Sequence, residues 1–180
     1  MNKALLLDRD GVINIDHGYT YQIDKFDFVP GIFDVAKRFY QAGYTIAIVT
    51  NQSGIARGMY SEDDFNHLMN WVKAQFQHHG VTIHAVYFCP HHPEYGIQKR
   101  CSCRKPAPGM LLKAKADFDL NLLQSVMIGD NVSDMEAAEA ANVGRKIWFR
   151  QDDNFSPLSQ EEINKLDIET ATSLIDITVS

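Results

Sequence analysis

The sequence predicts an α/β protein built on a mainly parallel sheet, and three observations lead there. Short apolar runs of strand length recur along the chain. Segments of helical period lie between them. Each of four runs ends on residues with carboxylate, hydroxyl, amide or basic side chains. Strands that alternate with helices pair in parallel, with helices covering both faces of the sheet.

The first run is Ala4–Leu7, and Asp8-Arg9-Asp10-Gly11 follows it. Residues 11–29 mix glycine, aspartate and aromatics without clear period, which predicts a loop or hairpin over the strand ends. Residues 31–42 place Ile32, Val35, Ala36, Phe39 and Tyr40 on one helical face, and Gly43 follows as a stop. The second run is Thr45–Val49. A second helix is expected over 62–79, with Phe65, Leu68, Met69, Val72 and Phe76 facing the core and Ser61 as its cap. The third run is Ile83–Phe88, and the prolines and cysteines of 89–108 then break regular structure. Helices over 109–118 and 132–142 flank the fourth run, Ser125–Ile128; the fifth run is Lys146–Phe149. From Gln151 the tail begins as a polar loop, and Thr172–Ile177 is expected to close it with a short helix.

The 180 residues suit a single domain, 1–180, with a small loop elaboration at about 89–103. A chain of this length buries roughly two-thirds of its unfolded surface, so no staple is required. A net charge of −6 argues against general nucleic-acid binding. No apolar run is long enough to span a membrane, and the start does not read as a secretory signal. A cytoplasmic protein is expected. Its three cysteines are an odd number and all lie between Cys89 and Cys103, which disfavours a disulfide framework.

In an open α/β sheet, ligands bind beyond the carboxyl ends of the strands. Those ends supply Asp8 and Asp10, then Thr50-Asn51-Gln52-Ser53, then Arg104-Lys105, then Asp130 and Asp134. An isolated aspartate there is ordinarily a turn former or a helix cap. Four ends in agreement point to phosphoryl transfer, which depends on positioning and on neutralising charge. Asp8, Asp10 and Asp130 offer hard oxygen ligands suited to Mg²⁺. Lys105 and the Thr50 hydroxyl could hold phosphoryl oxygens. Asp8 is placed to attack phosphorus, and Asp10 to protonate the leaving alcohol and later deprotonate water.

Cys89, His91, Cys101 and Cys103 form a Cys₃His set within fifteen residues, which suits a closed tetrahedral zinc site. His91 is preferred to His92 because it sits two residues from Cys89, mirroring the Cys101-x-Cys103 pair. The expected role is structural, fixing Arg104 and Lys105 immediately after the last ligand.

Asp8-x-Asp10-Gly11, Thr50, Lys105 and Gly129-Asp130-x-x-x-Asp134 together resemble the four motifs of the haloacid dehalogenase superfamily, over about residues 4–150. The resemblance implies a Rossmann-like core and a phospho-aspartate on Asp8. It also implies Mg²⁺ held by Asp8, Asp130 and the main-chain carbonyl of Asp10, with Asp134 orienting Lys105. Too few residues separate the motifs for a large cap domain. The cysteine loop, Asp16-His17-Gly18-Tyr19 and the segment from Thr50 to Gly58 are similar to the heptose bisphosphate and histidinol phosphate phosphatases. By that resemblance Asp16, His17, Gly18, Tyr19, Asn51, Gln52, Ser53 and Arg104 contact substrate, and the fork of Arg104 suits the second phosphate of a sugar bisphosphate. Arg57 could add charge at the rim or be a solvated loop arginine. The sequence departs from relatives at Val12, where threonine is common, and at Asn131, where some carry lysine; the loop from His91 to Cys101 is short. A heptose bisphosphate is the favoured substrate, histidinol phosphate or a broader sugar phosphate the alternative. A non-catalytic zinc-bearing module is a further alternative, disfavoured by the presence of both Asp8 and Asp10. A monomer acting on a small molecule is expected.

Overall fold

A computed structural model describes residues 1–151 and 158–179. Six parallel strands form one sheet in the order β3-β2-β1-β4-β5-β6, where β1 is Ala4–Leu7, β2 Thr45–Asn51, β3 Ala85–Cys89, β4 Val126–Gly129, β5 Arg145–Phe149 and β6 Ile168–Ala171. The chain builds outward from β1 to β3, then returns to the other side of β1 to lay down β4. That return opens a crevice between the carboxyl ends of β1 and β4, where ligands of doubly wound sheets bind.

Successive side chains on a strand point to opposite faces. Leu5 and Leu7 therefore join Ile46, Ile48 and Ile128 on one face, while Ala4 and Leu6 join Ala47, Val49 and Met127 on the other. The first face is covered by α1 (Ile32–Gln41) and α3 (Glu62–His78); the second by α4 (Gly109–Phe118) and α5 (Val132–Ala140). Burial on both faces is why the central strands read as unbroken apolar runs. The α1 helix ends as its sequence predicts: Gly43 takes φ 82° and its N–H reaches the Tyr40 carbonyl. Ser61 caps α3 in a reciprocal box with Asp64.

Several elements differ from the sequence reading. The third strand begins at Ala85 rather than Ile83, because the Ile46 N–H bonds the ring Nδ1 of His84 instead of a strand carbonyl. It also runs one residue further, so Cys89 is the last residue of a strand paired to Asn51. Of the loop or hairpin expected over residues 11–29, the loop is what forms, with one 3₁₀ turn at Ile23–Lys25 and isolated bridges from Asn14 to Asp10 and Phe28. A four-residue helix, α2 (Ser53–Ala56), follows β2. Most of the polar loop expected after Gln151 lies outside the described residues. Beyond it, α6 (Gln160–Lys165) and β6 occupy sequence that shows no clear period. Arg145 anchors β6 by two bonds to Glu169, at 2.7 and 2.9 Å. The expected closing helix is a 3₁₀ turn, Leu174–Asp176, whose Leu174 and Ile175 carbonyls accept from Arg38 on α1. Among the described residues, no helix is long and apolar enough to cross a membrane.

Phe39 is wholly buried between α1 and the sheet. Phe39→Ala is expected to cost about 3–5 kcal/mol in denaturant unfolding; a loss under about 1 kcal/mol would contradict this packing.

Candidate active site

Asp8 follows β1 directly, its N–H bonded to the Ile128 carbonyl of β4, so the first carboxylate sits at the crevice. Lys105 comes from the segment after the cysteine loop and is almost fully buried. Its Nζ reaches Asp8 Oδ1 at 2.8 Å, Asp134 Oδ1 at 2.6 Å and the Val49 carbonyl at 2.7 Å. Burial works against the ammonium, but Asp134 and Asp8 together outweigh it and hold Lys105 above its ordinary range. Asp134 is fixed in turn at the start of α5, where it accepts the Asn131 N–H at 3.0 Å. Asn51 pins the Lys105 backbone from both sides, accepting its N–H and donating to its carbonyl, each at 3.0 Å.

Asp130 completes the acidic group, its carbonyl accepting from the indole of Trp148 at 2.9 Å. One oxygen from each of Asp8, Asp130 and Asp134 lies within 4.8 Å of the others. Burial, then repulsion from Asp134, raises the Asp8 carboxyl to about 7. Burial, then repulsion from Asp8, raises Asp130 to about 9. Three carboxylates around one ammonium leave negative charge uncompensated, so the donor set fits a hard divalent cation such as Mg²⁺. Gly11 permits the crowding: it has φ +88°, and a Cβ there would collide with the Asp130 carboxylate.

Thr50 is fully buried at the end of β2, and its hydroxyl accepts from the Gln52 amide at 2.9 Å. The same amide donates to Asp10 Oδ2 at 3.0 Å, and Tyr60 donates to Gln52 Oε1 at 2.5 Å. Around these groups lies an open cavity of about 610 Å³. Its walls include Asp8, Asp10, Asp130, Lys105, Arg104 and, from the 11–29 loop that forms a flap beside the strand ends, Asp16, Gly18 and Tyr19. Asn51, Gln52 and Ser53 also line it, although the Asn51 amide is committed to the Lys105 backbone and the Gln52 amide to Asp10 and Thr50. Two expected site residues stand apart from this lining: Thr50 lies beneath it, and His17 is an exposed residue paired with Asp27 at 2.8 Å. Tyr60, Pro106 and Ser133 line the cavity without having been singled out in the sequence. Tyr60 had no local signal, since its partner Gln52 lies across a turn.

The cysteine loop leads into Arg104 and Lys105 of the cavity wall. Cys89 Sγ lies 3.6 Å from Cys101 Sγ, 3.0 Å from Cys103 Sγ and 3.6 Å from His91 Nδ1. A tetrahedral metal with bonds of about 2.0–2.3 Å requires ligand separations of about 3.3–3.8 Å, which this set approaches. His92 turns away and accepts from Arg57 at 3.2 Å. Arg57 also stacks 4.3 Å over Tyr95 and lies 5.8 Å over Tyr19, joining the cysteine loop to the flap. Burial raises the Cys89 thiol, whereas bonds from the Arg104 backbone and the neighbouring ligands overcome burial at Cys101 and lower it to about 6.

Comparison with known proteins bears on this geometry directly. The HAD-hydrolase-like family model matches residues 102–147. The D-glycero-β-D-manno-heptose-1,7-bisphosphate 7-phosphatase of Yersinia pestis is 45% identical over 82% of this chain and 80% of its own length. The D-glycero-α-D-manno-heptose-1,7-bisphosphate 7-phosphatase of Burkholderia mallei is 52% identical over 81% and 79%. Among solved structures, D,D-heptose 1,7-bisphosphate phosphatase from B. bronchiseptica, complexed with magnesium and phosphate, superposes with a TM-score of 0.79 at 28% identity, covering 96% of this chain and 94% of that one. Fold and site thus define a haloacid dehalogenase-like phosphatase, a phosphoric monoester hydrolase. The chain belongs to the D-glycero-D-manno-heptose-1,7-bisphosphate 7-phosphatase family.

The carboxylate crowding has a measurable sign. Asp8 and Asp130 bind protons more tightly folded than at the ordinary 3.8, so without divalent cation stability falls as pH rises from about 4 through about 9. Thermal melts are expected to show Mg²⁺ raising Tm more near pH 9 than near pH 6; an equal effect at both would contradict the crowding.

Proposed function

We propose that this chain removes the 7-phosphate of D-glycero-D-manno-heptose 1,7-bisphosphate through an aspartyl-phosphate on Asp8. The observation that carries the chemistry is the Lys105 ammonium bridging Asp8 and Asp134 at 2.8 and 2.6 Å. It holds the nucleophile in place and puts a positive charge where phosphoryl oxygens gather. The substrate is supported by relatives that act on this sugar bisphosphate, at 42–52% identity over most of the chain.

In the first half-reaction an Asp8 oxygen bonds to phosphorus, and the bond from phosphorus to the sugar oxygen breaks. The electron pair left on that oxygen takes a proton from Asp10. In the second, water gives a proton to Asp10 as its oxygen attacks phosphorus. The bond to Asp8 breaks, its pair returns to the carboxylate, and phosphate leaves. Lys105 and, from beneath the cavity lining, the Thr50 hydroxyl are read as the groups that hold the phosphoryl oxygens. Asp8, Asp130 and the Asp10 carbonyl would hold Mg²⁺, which supplies positive charge to the phosphoryl group. Arg104, which lines the cavity and whose Nη1 donates to the His91 carbonyl at 3.2 Å, is read as the group that meets the second phosphate. Asp16, Gly18, Tyr19 and Ser53 face the sugar from the flap and from α2.

Cys89, His91, Cys101 and Cys103 would hold a structural Zn²⁺, which fixes the loop that leads into Arg104 and Lys105. The protein is read as a cytoplasmic monomer of one domain.

Phosphate release from the α and β anomers of heptose 1,7-bisphosphate, with histidinol phosphate alongside, tests the assignment. Magnesium-dependent turnover favouring one heptose anomer is expected; a higher kcat/KM on histidinol phosphate would overturn it. Asp8→Asn is expected to fold normally and to lose turnover by at least about 10³-fold, and near-wild-type rates would remove Asp8 as nucleophile. Cys101→Ser is expected to lose zinc and melt at lower temperature, with activity falling secondarily. Unchanged zinc stoichiometry in that variant would exclude Cys101 as a ligand.

A further inference from the structure

Arg9 is a fully buried arginine that the reaction scheme leaves unused. A guanidinium without solvent is costly unless its charge and donors are matched, so its partners indicate its purpose. Nε and Nη2 donate to Oδ1 of Asp10 at 3.2 and 2.7 Å, and Nη2 also donates to the Thr20 carbonyl of the flap at 2.7 Å. The rings of Phe26 and Phe65 flank the group, with centroids at 6.0 and 5.8 Å. Arg9 does not line the cavity that holds Asp8 and Lys105, so it is not a phosphate clamp.

The two oxygens of Asp10 are treated unequally. Oδ1 receives the two Arg9 bonds and a third from the Asn14 amide at 3.1 Å, whereas Oδ2 receives the Gln52 amide at 3.0 Å. Oδ1 is therefore saturated, and Oδ2 keeps room for the proton that the chemistry moves. A carboxyl free to turn would present either oxygen.

We propose that Arg9 is a positioning residue for the proton-transfer step: it fixes which Asp10 oxygen serves the leaving group and ties that carboxyl to the flap through Thr20. The proposal rests on the reading of Asp10 as the acid and base. During formation of the aspartyl-phosphate, the Asp8 oxygen gains its bond to phosphorus and the leaving oxygen keeps the electron pair of the broken bond. Asp10 delivers the proton to that pair. Without Arg9 the proton is delivered poorly, and the penalty grows with the basicity of the leaving group.

That dependence separates positioning from general structural damage. Arg9→Met, Arg9→Lys and Asp10→Asn are assayed on phenyl phosphate and p-nitrophenyl phosphate, whose rings are similar but whose leaving groups differ in basicity. The ratio of the two kcat/KM values is independent of the folded fraction, so partial misfolding of the methionine variant does not disturb it. It also reports only steps up to aspartyl-phosphate formation, because hydrolysis of that intermediate is common to both substrates. Arg9→Met is expected to lose on the order of tenfold more on phenyl phosphate than on p-nitrophenyl phosphate. Arg9→Lys should shift the same way by less, since one ammonium cannot replace the fork, and Asp10→Asn should shift by more. Equal losses on both substrates in the two Arg9 variants, with a shifted ratio in Asp10→Asn, overturn the role of Arg9 and leave Asp10 as acid and base. An unshifted ratio in Asp10→Asn overturns both.

Discussion

The buried ammonium of Lys105 is the point on which the site depends. It has almost no solvent, and its partners are Asp8 after β1, Asp134 on α5 and the Val49 carbonyl on β2. A charge in that position is tolerable only while all of these are in place. The sheet, α5 and the segment behind the cysteine loop are thereby bound to one geometry. Asn51 makes the constraint tighter by engaging both backbone groups of Lys105. The cysteine cluster sets the position from the other side, because Cys103 lies two residues upstream and Cys89 ends β3.

A second network, built on Gln52, stands beside this ionic one. Its amide joins Thr50 to Asp10, and its carbonyl accepts from Tyr60. Tyr60 stacks on Tyr21 with centroids 5.2 Å apart, so the flap is linked to the strand end by an unbroken path of contacts. The ionic network holds Asp8 and the polar network holds Asp10. They meet in a cavity that, among the described residues, no cap domain covers, and whose walls are loops at the strand ends. The flap, Arg104 and the residues after β2 make up much of its wall.

Much of the fold was legible. The central strands and the α1, α3 and α4 helices fall close to their expected bounds, because residues buried on both faces of a sheet, or on one helical face, leave a period in the sequence. The sixth strand left little: of Ile168–Ala171 only Ile168 is buried, and the strand is secured by Arg145 and Glu169 across the sheet edge. The α6 helix did carry a signal, Ser159 with Glu162 as a capping box, though without an apolar face to accompany it. In the site, Asp8 and Asp130 stood out because each directly follows a strand, and Lys105 and Asp134 because they come in the segments that leave β3 and β4. His17 did not join them: its place in the flap does not fix the direction of its ring, which pairs with Asp27.

By itself, the sequence determined the alternation of the first five strands with α1, α3, α4 and α5, the residues placed at the strand ends, and the grouping of cysteines with His91. These are local properties: period, capping and spacing are set by neighbours in the chain. Only the tertiary structure decided that Arg9 is buried against Asp10, that Gln52 turns inward to Thr50, and that Asn51 grips the backbone of Lys105. Those outcomes depend on groups that are distant in sequence competing for the same donors and acceptors. Each polar side chain taken out of water must find a partner, and which partner is within reach is fixed only once the sheet has assembled.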